Sequence, residues 1–163
     1  MRSGAALAVE ALTAENLDEL VELLGAVDPT HFSHTTRDAA ERFLREPEDV
    51  HVIGRVDGQP VAFGMLRGWH EGYEEPSLGI AVRRSVEGRG LGRAMMEALR
   101  DLAVGRGARS IRLRVDPANT RAHDLYRSCG YEAAGTERGE LLMRLLLPKS
   151  SEVHDGSPPA GKP

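Results

Sequence analysis

The chain has 163 residues, 40% of them hydrophobic and 28% charged, which suits one folded domain with a real core. Its net charge of −4 argues against nucleic-acid binding by bulk charge, and its one cysteine, Cys129, excludes an internal disulfide and points to a reducing compartment. No apolar run approaches the roughly 18 residues of a membrane span. The opening segment meets Glu10 without an extended apolar stretch, so a signal peptide is not expected and a cytoplasmic location is.

Ala5 to Leu12 reads as a first strand. Thr13 is a candidate cap for a helix in which Leu17, Leu20, Val21 and Leu24 recur at helical spacing. Residues 28–36 read as a loop, and a short helix runs from Arg37 to Arg45. Val50–Arg55 and Val61–Leu66 flank Asp57-Gly58, a pair that favours a hairpin turn with positive φ at both central positions. Gly68–Glu75 reads as a longer connection carrying Trp69, His70 and Tyr73, before a strand at Leu78–Val82. Leu91, Ala94, Met95, Ala98, Leu99 and Leu102 form one helical stripe ending near Gly105 and Gly107.

Ser110–Val115 alternates Ile111, Leu113 and Val115 with arginines, as a half-buried strand does. Asp116 or Asn119 caps the next helix, whose stripe is Ala118, Ala122, Leu125, Tyr126 and Cys129, with Gly130 as its stop. Tyr131–Thr136 and Leu141–Leu147 read as closing antiparallel strands. From Pro148 the chain is Ser-, Pro- and Gly-rich, so the expected domain is 1–147 with a disordered tail at 148–163. Mixed strands and helices around one sheet imply an α/β fold.

Charge is unevenly spread. Residues 1–50 carry four arginines against eleven acids, whereas 83–114 carry nine arginines against three acids. That basic window contains Glu87-Gly-Arg-Gly-Leu-Gly92, between a strand and an amphipathic helix. Such glycines let backbone N–H groups converge at a helix N-terminus, which suits a pyrophosphate. No Gly-Lys-Ser/Thr follows, so it is not a Walker loop, and the ribose-binding acid of a dinucleotide fold is not in place.

Farther along stands Asn119-Thr-Arg-Ala122-His-Asp-Leu125-Tyr126-Arg-Ser-Cys-Gly130-Tyr131. It resembles the Asn-x-x-Ala-x-x-Leu-Tyr-x-x-x-Gly-Phe/Tyr motif of the GNAT N-acetyltransferases. The glycine segment is similar to that family's Gln/Arg-x-x-Gly-x-Gly/Ala acetyl-CoA motif, with Gly90 and Gly92 at its fixed glycines and Glu87 where the family usually has Gln or Arg. The two motifs span roughly residues 78–131.

This resemblance implies a central, mostly antiparallel sheet flanked by helices, and acetyl-CoA as co-substrate with no metal. It places Ile80, Ala81, Val82, Gly88, Arg89, Gly90, Leu91, Gly92, Arg93, Asn119 and Tyr126 at the cofactor. Backbone N–H groups around Gly88–Arg93 would hold the pyrophosphate. The Val82 N–H would bind the thioester carbonyl, because positioned donors stabilise the oxyanion of acyl transfer. Tyr126 would protonate the departing thiolate. The amine needs a route for its proton; Glu74 and Glu75 are the candidate bases, with His70 the runner-up.

The expected activity is transfer of acetyl to the primary amine of a small molecule, by direct attack on the thioester. The alternatives are a protein N-terminal or lysine acetyltransferase and a CoA-binding regulatory domain without turnover. His31, Phe32, Trp69, His70 and Tyr73 are the candidate acceptor-binding residues. His31-x-x-His34 lacks a third ligand nearby for zinc, and Cys129 shares an apolar stripe, which disfavours it as an acyl carrier. Nucleic-acid and membrane partners are not expected; a homodimer is compatible with the family.

Overall fold

Alternating residues in the strands and 3.6-residue stripes in the helices sort the apolar side chains onto two faces of one sheet. A computed structural model describes residues 6–27, 37–72 and 74–148, with the backbone alone for His70. In chain order the elements are β1 (Ala8–Ala11), α1 (Leu17–Gly25), α2 (Arg37–Phe43), β2 (Val50–Val56) and β3 (Gln59–Arg67). They continue as β4 (Ser77–Val82), α3 (Leu91–Gly105), β5 (Ser110–Val115), α4 (Thr120–Ser128), β6 (Glu132–Glu137) and β7 (Glu140–Leu146). The expected loop at 28–36, Tyr73 and the tail from Lys149 lie outside the described residues.

The strands order as β1-β2-β3-β4-β5-β7-β6. Every neighbouring pair is antiparallel except β4–β5, which is parallel and registers only Ser77 against Arg112. This mixed α/β sheet with helices on its faces is the architecture expected from the motifs.

One face packs Val52, Ala62, Leu66, Leu78, Ile111, Leu113 and Met143 against Met95, Met96, Leu99 and Ala103 of α3. The other packs Ile53, Phe63 and Ala81 under Leu17, Leu20, Leu23 and Leu24 of α1 and Ala40 of α2. Helix α3 lies close to β2 and β3 because Gly54 and Gly64 leave room for it. A Cβ on Gly64 would stand 2.8 Å from Met95 Sδ and 3.0 Å from Leu99 Cδ1, and one on Gly54 would stand 2.8 Å from Met95 Cε.

The β2–β3 hairpin turns at Asp57 (φ 50°) and Gly58 (φ 80°), as the Asp-Gly pair predicts. Of the two candidate caps for α4, Asn119 is the one used, its Oδ1 accepting from Ala122 N at 3.2 Å. Two expectations are corrected. Asn16, not Thr13, occupies the N-cap of α1, while Thr13 Oγ1 accepts from Glu15 N within the preceding turn. Leu102 is 38% exposed, and Met96 at 3% takes its share of the core. The cause is rotation of α3: its buried set is Met95, Met96, Leu99 and Ala103, about 100° per residue around the axis, which leaves Leu102 at the edge. No helix among the described residues is long and apolar enough to cross a membrane.

The seating of α3 on glycine generates a test. Gly64→Val should lower the unfolding free energy by about 1–3 kcal/mol through overpacking. In that background Met95→Ala should cost less than the roughly 2–5 kcal/mol expected for it alone, because the two side chains compete for one space. Urea denaturation of the four-protein cycle measures the coupling.

Candidate active site

The site begins where β4 and β5 part. Arg112 N donates to Pro76 O at 3.0 Å, so the carbonyl of Pro76 faces β5, while Arg83 N donates to Val61 O at 2.7 Å and so faces β3. Hydrogen-bonding direction alternates along a strand. The backbone groups of Ile80 and Val82 therefore face β5, beyond the last registered pair. The Val82 N–H points into an opening, not into a ladder.

That opening is a cleft of about 430 Å³. Ile80, Ala81 and Val82 line it from β4, and Val115 and Asp116 from the end of β5. Gly88, Gly90, Leu91, Gly92 and Arg93 line it from the turn and first turn of α3; Asn119, Ala122, Leu125 and Tyr126 from α4 and its cap. Of the expected cofactor positions only Arg89 is absent from the lining; it is exposed at the tip of the turn.

Local geometry explains the glycines. Gly88 and Gly90 have φ of 81° and 82°, the left-handed region that other residues rarely enter. Gly90 is the N-cap of α3 and offers no side-chain acceptor, and the first turn contains no acid. The first intrahelical bond runs from Ala94 N to Gly90 O, so the N–H groups of Leu91, Gly92 and Arg93 have no intrahelical acceptor. At Gly92 a Cβ would stand 3.1 Å from Leu125 Cδ2, so glycine brings α3 against α4.

Polar ties hold the walls. Arg93 Nη2 donates to Ser128 Oγ at 2.5 Å, and Ser128 Oγ donates to Leu125 O at 2.6 Å. Glu87 Oε2 accepts from Arg121 Nη1 at 3.3 Å, across the mouth from the glycine turn to α4. Behind the turn, Arg83 makes two hydrogen bonds to the Glu22 carboxylate at 2.8 and 2.6 Å, and Arg84 N donates to Ala26 O at 2.9 Å.

Tyr126 is half-buried on the cleft wall, its ring tilted 55° to that of Tyr131 at 6.3 Å. Burial, and secondarily Cys129 nearby, pushes its hydroxyl up to about 12, so it is a proton-bearing donor at neutral pH. Cys129 closes α4 and packs against the apolar core, which agrees with a packing role.

The expected bases are elsewhere. Glu75 precedes β4 at the end opposite Val82, and its carboxylate accepts from Arg144 Nε and Ser110 Oγ, both at 2.6 Å. Burial alone would raise its pKa, but these hydrogen bonds and the charges of Arg144 and Arg112 outweigh it and hold the carboxyl below its ordinary 4.5. Glu74 is exposed beside it and lines no part of the cleft. Trp69 is also away from the cleft: the Arg106 guanidinium covers its ring at 4.8 Å, beyond the C-terminal end of α3. His31, Phe32, Tyr73 and the His70 side chain lie outside the described residues.

Outside the expected site set, Arg114, Asp116, Arg121 and Glu140 also line the cleft. Arg121 carried a signal: it sits inside the second motif with a charge opposite to the unusual Glu87. Glu140 carried none, because only the pairing of β7 with β5 brings it to Asp116.

Known proteins share this fold. A profile of the Acetyltransferase (GNAT) family matches residues 17–131, more than half of the chain. The ribosomal-protein-S18-alanine N-acetyltransferase of Escherichia coli is 23% identical with a TM-score of 0.69, covering 86% of this chain and 93% of its own. A GNAT-family acetyltransferase of Streptococcus pneumoniae is 20% identical with a TM-score of 0.76, covering 87% and 99%. An N-acetyltransferase of Thermoplasma acidophilum in complex with coenzyme A is 14% identical with a TM-score of 0.70, covering 87% and 99%. At these identities the solved structures establish the fold, and the profile match establishes the family: this chain belongs to the GNAT acetyltransferases.

Proposed function

We propose that the protein is an acetyl-CoA-dependent N-acetyltransferase that acts on the primary amine of a small molecule. The observation that carries this reading is the Val82 N–H, aimed into the gap between β4 and β5 beside a glycine turn rich in unbonded N–H groups. The cleft fits the co-substrate. Donors without Cβ obstruction at Gly88–Arg93 suit a pyrophosphate, and the apolar walls of Ile80, Leu91 and Leu125 suit a pantetheine arm.

In this reading the amine nitrogen attacks the thioester carbon, forming a C–N bond and a tetrahedral oxyanion that the Val82 N–H stabilises. The intermediate collapses with rupture of the C–S bond. Tyr126 donates a hydrogen bond to the sulfur as negative charge develops there. A phenol at about 12 gives up its proton reluctantly, so the proton released by the nitrogen balances the thiolate, passing through Tyr126 or water. The products are an N-acetyl amine and the free thiol of CoA.

Glu75 is not the base in this scheme, being bound to Arg144 and Ser110. Among the cleft carboxylates, Glu87 is held by Arg121 and Asp116 Oδ1 accepts from Ala118 N at 2.9 Å. Glu140 has no hydrogen-bond or ionic partner among the described residues and takes the ammonium proton before attack, leaving the second N–H proton, released after attack, for the thiolate.

Three outcomes test this reading. Acetyl-CoA at about 100 times its dissociation constant should add roughly 2.7 kcal/mol of stability. Gly90→Val, which forces a branched residue into φ of +82°, should abolish the thermal shift while the apo protein still melts cooperatively. An undiminished shift would remove the assignment of the turn. Tyr126→Phe should keep acetyl-CoA affinity and lower turnover by about 10²–10⁴-fold, read by CoA thiol release with a panel of amines and a peptide.

The two carboxylates separate by readout. Glu140→Gln should lower turnover and keep acetyl-CoA affinity. Glu75→Gln should keep turnover and lose stability instead, most above the ordinary carboxyl value of 4.5. The deficit should fade as acid protonates the wild-type carboxylate below that value, because a depressed native pKa stabilises only while the group is charged.

A further inference from the structure

Taking the proposed transferase reading as its basis, we infer that the acceptor carries an anionic group, a carboxylate or a phosphate, which Arg114 binds on the side of the sheet opposite α3. In β5 the odd-numbered Ile111, Leu113 and Val115 enter the core beneath α3, so Arg112 and Arg114 project from the other face. Helices α1 and α2 cover that face only over Ile53, Phe63 and Ala81. Over β5 and β7 the same face ends in exposed groups, among them Leu146 at 77%.

Register builds a basic row there. Arg67 pairs with Ser77, Ser77 with Arg112, and Arg112 with Arg144, so three guanidinium groups share one line across four strands. Arg114 stands one step along β5, about 7 Å from Arg112 by strand rise. Like charges directly opposite one another destabilise a sheet, and the acids nearby relieve this only in part. Arg144 binds Glu75 at 2.6 Å and registers with Glu132 on β6, and Glu137 lies 3.9 Å from Arg112, so the arginine of β5 left without an acid is Arg114. The Nε of Arg67 is buried without a partner. Arg114 is exposed and has no hydrogen-bond or ionic partner among the described residues, yet it also lines the cleft beside Val115.

Position decides what this charge reads. An amine that approaches the Val82 N–H from this face passes Arg114. A fixed guanidinium repels a diamine whose second nitrogen is protonated, and it attracts an acceptor with a negative group a few bonds from its amine. The same positive charge disfavours the ammonium form of the acceptor, which raises the fraction of nucleophilic free amine.

The experiment measures CoA thiol release with β-alanine, aspartate, glutamate and O-phosphoethanolamine, against β-alaninamide and putrescine. The carboxylate and phosphate arms distinguish the two sources of the anion. The wild-type protein should prefer at least one anionic amine over both uncharged and dicationic amines. Arg114→Gln should raise KM for that acceptor by roughly 10–100-fold, the value of a charge-assisted hydrogen bond, with kcat changed little. Arg112→Gln, at the Ser77 end of β5 and outside the cleft lining, should change KM little, and Arg114→Glu should shift preference towards putrescine. Equal rates across the arms, a wild-type preference for putrescine, or an equal loss for every amine in Arg114→Gln would overturn the anionic acceptor. So would an absence of turnover with all arms in a protein that acetyl-CoA still stabilises. Absence of that stabilisation overturns the transferase reading itself.

Discussion

The parting of β4 from β5 is the constraint on which the rest depends. A sheet that is otherwise antiparallel contains one parallel neighbour pair, and it holds for a single registered position before the strands separate. Parallel neighbours cannot be joined by a tight turn, so the chain crosses over through α3. That crossover brings the N-terminus of α3 to the same end of the sheet at which the strands diverge. Unpaired strand groups and unpaired helix N–H groups thus meet in one cleft. Backbone donors without partners are costly when buried, and opening the cleft to water, or to a ligand, removes that cost.

Holding such a gap open requires rigid walls. On one side β4 is tied to β3 through six registered pairs, and its exit is anchored by Arg83 to Glu22 and by Arg84 N to Ala26 O. On the other side β5 is paired along its whole length with β7. The exposed Glu87–Arg121 pair across the mouth contributes little energy, about 0–1 kcal/mol. Packing does more. Met95 and Leu99 fill the space that Gly64 leaves, and Gly92 lets Leu125 close on the first turn of α3. The helices can therefore adjust little without forfeiting core contacts.

Much of this was legible in the sequence because it depends on local patterns. The Asp57-Gly58 turn follows from turn chemistry, the boundaries of β5 from alternation, and the glycine turn from its place between a strand and a helix. Local reasoning failed where a neighbouring element decides. Thr13 and Asn16 are both good caps, and the choice fell to Asn16, whose Nδ2 donates to Ala11 O at 3.0 Å at the end of β1. Leu102 fits the helical stripe, but the sheet meets α3 on the side of Met96. Glu75 stands in the expected stretch before β4, yet Arg144, distant in sequence, lies one strand beyond β5 and claims its carboxylate. Trp69 reads as a ligand-facing aromatic in a loop until Arg106 is found above its ring.

The unusual Glu87 follows the same logic of charge carried between elements. The family pattern favours glutamine or arginine there, and an acid would repel the pyrophosphate proposed for the glycine turn. Arg121 lies 3.3 Å from it on α4, and a Cβ at Gly88 would stand 3.2 Å from Arg121 Nη2. The pair is neutral, but it is not symmetric: Glu87 is 30% exposed and Arg121 66%. The carboxylate is thus the more enclosed partner, and the guanidinium keeps donors turned to solvent beside the glycine turn. A positive group remains at the mouth although residue 87 is acidic. That group stands on the helix that also carries Tyr126, so one rigid element sets both the charge at the mouth and a wall of the cleft.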